Sequence, residues 1–335
     1  MLHLLYGRVA RARRAWYDRP GARQHLGRPV VSVGNLSVGG SGKTPLVAAV
    51  AAWLVAAGER PAILSRGYAR TTRTPEPTVV SDGRHILADV FTAGDEPLML
   101  ARAVPGARVV VGADRVAAGR HAETALEATV HLLDDGFQHV RLARDLDIVV
   151  TPAGALATDH VLPKGRLREP LDALRRADAL VVVGADGAAA AAEAARYGVA
   201  HGFAAARRLH PPVSVWGELP PSGAGVVVMA ALGQPAQFVT ALGAAGWRVL
   251  AVRAFRDHHW YTPADLADIA RMVADCGAWG VLTTDKDAVR LEPLGALPCP
   301  VARVPMSLDL PAWAPFTTLV GAAIRGHAGA AGTGA

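Results

Sequence analysis

Apolar residues open the chain at helical spacing. Leu2, Leu5, Tyr6, Val9, Ala12 and Trp16 recur every three to four positions, while Arg8, Arg11 and Arg14 share another face. Such a stripe predicts a short amphipathic helix, ended near Asp18, Arg19, Pro20 and Gly21. The period changes at Pro29. Short aliphatic and β-branched runs at 30–33, 62–64, 109–111, 130–133, 148–150 and 180–183 follow, with helical stretches between several of them. The first stretch is an Ala-rich helix over 44–57, stopped by Gly58. Strands so continuously apolar are covered on both faces, so the alternation predicts an α/β fold with a parallel sheet sandwiched by helices. Prolines at 211, 212, 220 and 221 punctuate the chain, and a second series follows: strand 226–229, helix 234–245, strand 249–252, helix 263–276, strand 281–282. The expected organisation is an N-terminal helix within 1–28, a main domain over 29–210 and a second, smaller α/β domain over 211–310. A segment over 311–327 then packs back on the body, ahead of a disordered Gly/Ala-rich tail over 328–335.

Composition narrows the class. A chain of 335 residues suits two domains, and 51% hydrophobic against 19% charged residues excludes a wholly disordered one. No run of 18 apolar residues argues for a transmembrane helix. Cys276 and Cys299 belong to no Cys/His cluster, so neither a disulfide framework nor a zinc site is predicted, and a reducing compartment fits. The placement of charge changes the picture of the first helix. Residues 1–28 hold seven arginines against Asp18 alone and carry the whole net charge of +6; the rest of the chain is balanced. This is not a nucleic-acid binder but a neutral body with a basic arm, which reads as an interfacial helix on an anionic membrane surface. Each basic residue near such a surface contributes about 1 kcal/mol. The alternatives are a helix packed on its own domain and an organellar transit peptide; a cleaved signal peptide fits poorly because arginines interrupt the apolar stretch. Lysine is rare: Lys43, Lys164 and Lys286 stand against 32 arginines. Base composition of the genome accounts for the bias, yet a retained lysine marks a place where a compact ammonium serves and a planar guanidinium does not. Lys43 and Lys286 lie within motifs; Lys164 does not.

The strongest chemical signal is Gly39, Gly40, Ser41, Gly42, Lys43, Thr44, directly after a strand and opening a helix. Backbone N–H groups of such a loop cradle phosphates, and the helix N-terminus adds its positive end. Lys43 is placed to reach the β- and γ-phosphates of ATP and Thr44 to ligate Mg²⁺. One departure is Ser37, where the strict pattern has glycine. A second acidic site is expected for the metal, and the run 130–133 ends in Asp134 and Asp135, a carboxylate pair at a strand's C-terminal edge. Either aspartate is a candidate ligand, directly or through water; the bland alternative is a solvated strand end. Together these motifs predict a P-loop NTPase-type sheet. Thr284, Asp285, Lys286 and Asp287 do not match the base-reading motif of a GTPase.

Further segments are unusual for a generic P-loop protein: Ser65-Arg66-Gly67-Tyr68, Gly94-Asp95-Glu96-Pro97, Asp134-Asp135-Gly136-Phe137-Gln138-His139, Leu167-Arg168-Glu169-Pro170, Phe255-Arg256-Asp257-His258-His259, and the stretch from Thr283 to Leu291. In this order, and with Val33 to Leu36 leading into the P-loop, they closely resemble the tetraacyldisaccharide 4′-kinase family, the lipid A 4′-kinases. The resemblance spans roughly 2–325. It implies an ATP- and Mg²⁺-dependent phosphotransferase that phosphorylates the 4′-hydroxyl of a tetraacylated glucosamine disaccharide 1-phosphate, a glycolipid. It further implies a peripheral protein at the cytoplasmic face of the bacterial inner membrane, docked by its N-terminal helix. No obligate protein partner is evident.

The resemblance also implies roles. Asp95 matches the family's catalytic base and His258 its histidine partner, with His259 as the alternative within the pair; Lys43 completes the catalytic set. A carboxylate is a weak base at its ordinary pKa of about 4, so it mainly orients the hydroxyl and accepts the proton late. Asp95 and His258 fall in different expected domains, which implies a cleft between them. Arg66, Arg115 and Arg168 are candidate phosphate or sugar contacts, and Glu169 a candidate for Mg²⁺ or a sugar hydroxyl; each has a surface ion pair as its alternative. Ala69 departs from the glycine expected after Tyr68. Two other classes compete with the lipid kinase. A P-loop ATPase switch is disfavoured because Val38, with no lysine near, precedes Gly39. A kinase or synthetase with a soluble acceptor is disfavoured by the basic amphipathic arm.

Overall fold

Strand β1 (Val30–Gly34) is buried along its whole length at the centre of a nine-stranded sheet. Its five residues carry no charge, so both faces accept cover. The computed structural model describes residues 2–72 and 74–331. The large sheet also contains β2 (Pro61–Ser65), β3 (Thr78–Asp82), β4 (Arg108–Val111), β5 (Val130–Asp134), β6 (Leu146–Pro152), β7 (Ala179–Val183) and β8 (His201–Leu209). A smaller sheet holds β9 (Val213–Trp216), β10 (Gly225–Ala230), β11 (Arg248–Ala254), β12 (Gly280–Thr283) and β13 (Val301–Arg303). The last strand, β14 (Met306–Asp309), returns to the large sheet, whose order is β14-β8-β7-β6-β1-β5-β2-β4-β3. Pairing is parallel throughout the large sheet except at its two edges, where β3 lies antiparallel to β4 and β14 to β8. The small sheet runs β11-β10-β12-β13-β9, with only β9 antiparallel.

Two expected boundaries move. The second unit ends before β14, not at residue 310, because Leu308 and Leu310 bury in the main core and 306–309 pair with the free edge of β8. The final helix (Trp313–Ala331) continues past residue 327, and the remainder of the expected tail, 332–335, lies outside the described residues. Phe316 and Val320 of that helix bury against the core formed by helix α2 (Lys43–Ala56), through Leu46, Val50 and Leu54, and by the large sheet.

Helix α1 (Leu2–Tyr17) docks on the body by its polar side. Arg11 pairs with Asp172 at 2.8 Å and Arg14 with Glu169 at 3.1 Å, while Gly7 is buried against Pro170. Its apolar residues face outward: Leu2, Leu4, Leu5 and Val9 are 71%, 63%, 59% and 60% exposed. No helix among the described residues is long and apolar enough to cross a membrane. The two sheet units meet where helix Asp95–Ala103 packs on helix Asp285–Leu291. The Phe91 and Trp260 rings stack there at 5.2 Å, and Arg102 forks onto Glu292.

Candidate active site

The P-loop leaves the end of β1 beside the end of β5, because these neighbours run parallel with Val33 opposite Asp134. Gly39 and Gly42 take φ of 110° and 99°, left-handed values that glycine adopts without strain, and Gly42 caps α2. A Cβ at Gly39 or Gly40 would meet nothing within 4 Å, so space beside these two glycines is open. Ser37 needs no glycine, since its φ is not left-handed; it bridges to Leu167, and Val38 N–H donates to the Arg166 carbonyl. Asn35 donates to the Ser41 hydroxyl and Gln138 to the Asn35 carbonyl, which ties the loop to the turn after β5.

That turn carries the acid pair. Asp134 accepts from Ser65 Oγ at 3.1 Å through Oδ2, while its Oδ1 is buried without a hydrogen-bond partner. Burial, and then the negative charges of Glu96 and Asp135, push its pKa up to about 7 despite the opposing Lys43 and Ser65. Asp135 sits at φ 56° and points back to Lys43 Nζ at 3.5 Å and Arg168 Nη1 at 2.6 Å. Burial would raise its pKa, but those two cations hold it below the usual carboxylate range. A buried carboxylate oxygen with no donor is what a cation would satisfy. Asp134, Asp135 and Thr44 line one cavity with the P-loop. Among the described residues no three His, Cys, Asp or Glu side chains converge as a closed metal site. The residues present, Thr44 and two carboxylates with Asp134 Oδ1 unpartnered, fit Mg²⁺, which takes one or two carboxylates and fills its shell with phosphate oxygens and water.

The cavity, about 1140 Å³, is bounded by the P-loop, Arg66, Arg115 and Arg168 from the large-sheet unit, Asp257, His258 and Lys286 from the small-sheet unit, and Tyr6, Val9 and Arg13 from α1. Asp95 opens its helix at the cavity's edge but is itself only 2% exposed. Two glycines place it: a Cβ on Gly94 would fall 2.8 Å from the Tyr68 carbonyl, and one on Gly67 would fall 2.2 Å from Val111, so the segments 65–68 and 94–97 pack closely only with glycine at both. His258 reaches across from the small-sheet unit, and its Nδ1 lies 2.9 Å from Asp95 Oδ2. Arg290, fully buried, donates to the same oxygen and to the His259 carbonyl. Burial alone would raise the Asp95 pKa, but the His258 hydrogen bond and the charges of Lys286 and Arg290 hold it well below the usual carboxylate range. His259 turns away to Asp265, in the capping box of the helix Pro263–Asp275.

The remaining expected residues divide. Arg66 is exposed on the cavity wall. Arg115 is buried, donates to the Ala113 carbonyl, and has its pKa brought down to about 10 by burial and by Arg66. Arg168 holds Asp135 and Gln138. Glu169 pairs with Arg14 and Arg176 beneath α1 and lines the same cavity as the P-loop. The sequence reading assigned no role to His139, half-buried on the cavity wall with its Nε2 buried and unpartnered; burial and the charges of Arg115 and Arg144 lower its pKa to about 4. Nor did it assign one to Arg290. Both lie inside quoted motifs, which was the available signal.

A model of the family described as tetraacyldisaccharide-1-P 4′-kinase matches residues 1–325. The chain belongs to the tetraacyldisaccharide 4′-kinase family. Similar relatives of that name include one from Anaeromyxobacter dehalogenans strain 2CP-C, 44% identical over 85% of this chain and 78% of its own, and one from Geobacter metallireducens, 42% identical over 81% of each. The crystal structure of LpxK from Aquifex aeolicus in complex with ATP superposes with a TM-score of 0.76, at 32% identity over 96% of this chain and 97% of that one. The kinase class, the α/β fold with its second sheet and the lipid A pathway expected from the sequence agree with this membership.

Proposed function

We propose that this member of the 4′-kinase family transfers the γ-phosphoryl group of ATP to the 4′-hydroxyl of a tetraacylated disaccharide 1-phosphate in the cavity between the two sheet units. One observation carries the residue assignment: the Asp95–His258 pair, formed across the units, reaches the P-loop's cavity through His258, with Asp95 buried behind it. The P-loop backbone and Lys43 hold the phosphates. Thr44, Asp134 and Asp135 are the residues that would hold Mg²⁺, which neutralises charge on the transferring group when bound. The acceptor hydroxyl is oriented against the Asp95–His258 pair. Its oxygen bonds to the γ-phosphorus, the bond to the β-phosphate oxygen breaks with its electrons leaving on ADP, and the pair takes up the hydroxyl proton. Arg66 and Arg115 supply positive charge along the wall for the anionic lipid, and Arg168 keeps Asp135 in place. Glu169, through Arg14, ties α1 to the cavity rim.

The outward apolar face of α1, with Arg8 and Arg13 beside it, supports a peripheral position on an anionic membrane, at the cytoplasmic face where ATP is present. Asp95→Ala tests the pair. Turnover falls by about 10²-fold or more, the usual contribution of general acid–base catalysis, while ATP binding measured by calorimetry is retained. Near-normal turnover in that variant contradicts the base assignment. Lys43→Ala is expected to cripple transfer too, with weakened ATP binding as its distinguishing mark.

A further inference from the structure

Arg207 lines the cavity from β8, and the chemistry above leaves it without a task. Its register partner on β14, Leu308, reaches the P-loop itself: a Cβ on Gly42 would fall 3.3 Å from that side chain. The Arg207 guanidinium forks between two oxygens. Nη2 donates to the Gly40 carbonyl of the P-loop at 3.2 Å, and Nη1 donates to Gln237 Oε1 at 2.8 Å, on helix Pro235–Ala244 of the small-sheet unit. Both acceptors are neutral, and among the described residues no carboxylate pairs with this arginine, so the fork is not a surface ion pair. The Gly40 carbonyl shares its peptide with the Ser41 N–H, and a trans peptide points these two groups to opposite sides. With the carbonyl drawn to Arg207, the Ser41 N–H faces the other way. Ser41 is buried at the cavity, its hydroxyl is held by Asn35, and among the described residues its N–H has no hydrogen-bond partner. An unpaired N–H in a loop of this kind is what a phosphate oxygen satisfies.

We propose that Arg207 is a positioning residue for the nucleotide phosphates, a guanidinium fork that fixes the Gly40–Ser41 peptide with its N–H toward the phosphate cradle and ties that peptide to Gln237 of the second unit. This rests on the reading of the loop as the cradle of the kinase. The loop has reason to need a fixing contact. Three of its residues, Gly39, Gly40 and Gly42, lack a Cβ, and two of them take left-handed φ, so the peptide between Gly40 and Ser41 has little of its own to hold it. Arg207 sets its direction before ATP arrives, and the nucleotide then binds without the cost of ordering it. Arginine suits the task because its planar fork meets two acceptors from two nitrogens, whereas an ammonium must serve both from one. Gln237 in turn orients the guanidinium, so the second unit contributes to the shape of the cradle.

The test is the affinity for ATP with Mg²⁺, by calorimetry, of wild type, Arg207→Ala, Arg207→Lys, Gln237→Ala and the double alanine variant. Arg207 and Gln237 are both exposed, so none of these changes empties a core. Loss of the fork weakens ATP binding by about tenfold in Arg207→Ala. Arg207→Lys keeps the charge without the fork and stays within about threefold of the alanine variant. Gln237→Ala loses about threefold, and the double variant is no weaker than Arg207→Ala, because both changes undo one link. Unchanged affinity in Arg207→Ala overturns the proposal. Full recovery in Arg207→Lys does so too, since it makes the residue a charge that attracts ATP. Wild-type affinity in Gln237→Ala, or losses that simply add in the double variant, overturn the link. Steady-state kinetics separate positioning from general damage: KM for ATP rises about tenfold in Arg207→Ala while KM for the lipid stays. An equal rise in both contradicts the assignment. Lys43→Ala tells the two possible failures apart. If it binds ATP as wild type does, the cradle reading fails and this proposal with it. If it binds weakly beside an unaffected Arg207→Ala, Arg207 alone fails.

Discussion

Asp134 is held against its own preference. Its carboxylate is fully buried beside Glu96 and Asp135, and one oxygen has no hydrogen-bond partner. A carboxyl whose pKa is raised on folding favours the folded state less as pH climbs from the unfolded value of about 4 through the folded one. Without metal, Asp134→Asn removes that burden while keeping an acceptor for Ser65. The variant is expected to be more stable than wild type at pH 8 by about 1 kcal/mol, seen as a raised Tm in chelator, and to lose Mg²⁺-dependent turnover. A lowered Tm contradicts the electrostatic account of this residue. The sequence made both aspartates legible as a pair at a strand end. It did not separate them, because the difference arises in the turn: Asp135 takes a left-handed φ and swings to Lys43 and Arg168, leaving Asp134 buried. Ala69 is another residue whose oddity becomes physical, since its φ of 60° is the conformation that makes glycine the natural occupant.

The parallel strands were legible at the scale of elements because burial on both faces writes them as uninterrupted aliphatic runs. The edges were not. β8 carries Arg207 and Arg208 on its exposed end, and β14 is only four residues long, so neither has a run to read; their pairing is settled by what they lie against. Helix α1 was legible as amphipathic, but not the sense of its docking. A helix that packs on its own domain buries its apolar face, whereas here Arg11 and Arg14 face the body and the leucines face out. Deleting residues 1–24 is therefore expected to abolish sedimentation with anionic liposomes while leaving the sheet units folded by circular dichroism. Unchanged liposome binding contradicts the interfacial role.

For the molecule as a whole, the candidate active site forms where two separately cored units meet. Asp95 brings its carboxylate from one, His258, Lys286 and Arg290 come from the other, and the Phe91–Trp260 stack and the Arg102–Glu292 fork hold the seam. The sequence indicated that a cleft was required, since the matched motifs lie 163 residues apart, but nothing local in it spells a contact of 2.9 Å. The central claim is that this shared cavity phosphorylates a glycolipid through that contact. The most direct measurement incubates the full chain with ATP, Mg²⁺ and a tetraacylated disaccharide 1-phosphate in detergent micelles and follows the lipid by mass spectrometry. The account predicts a gain of one phosphate on the lipid with wild type and none with Asp95→Ala. ATP consumed with the lipid unchanged would contradict it.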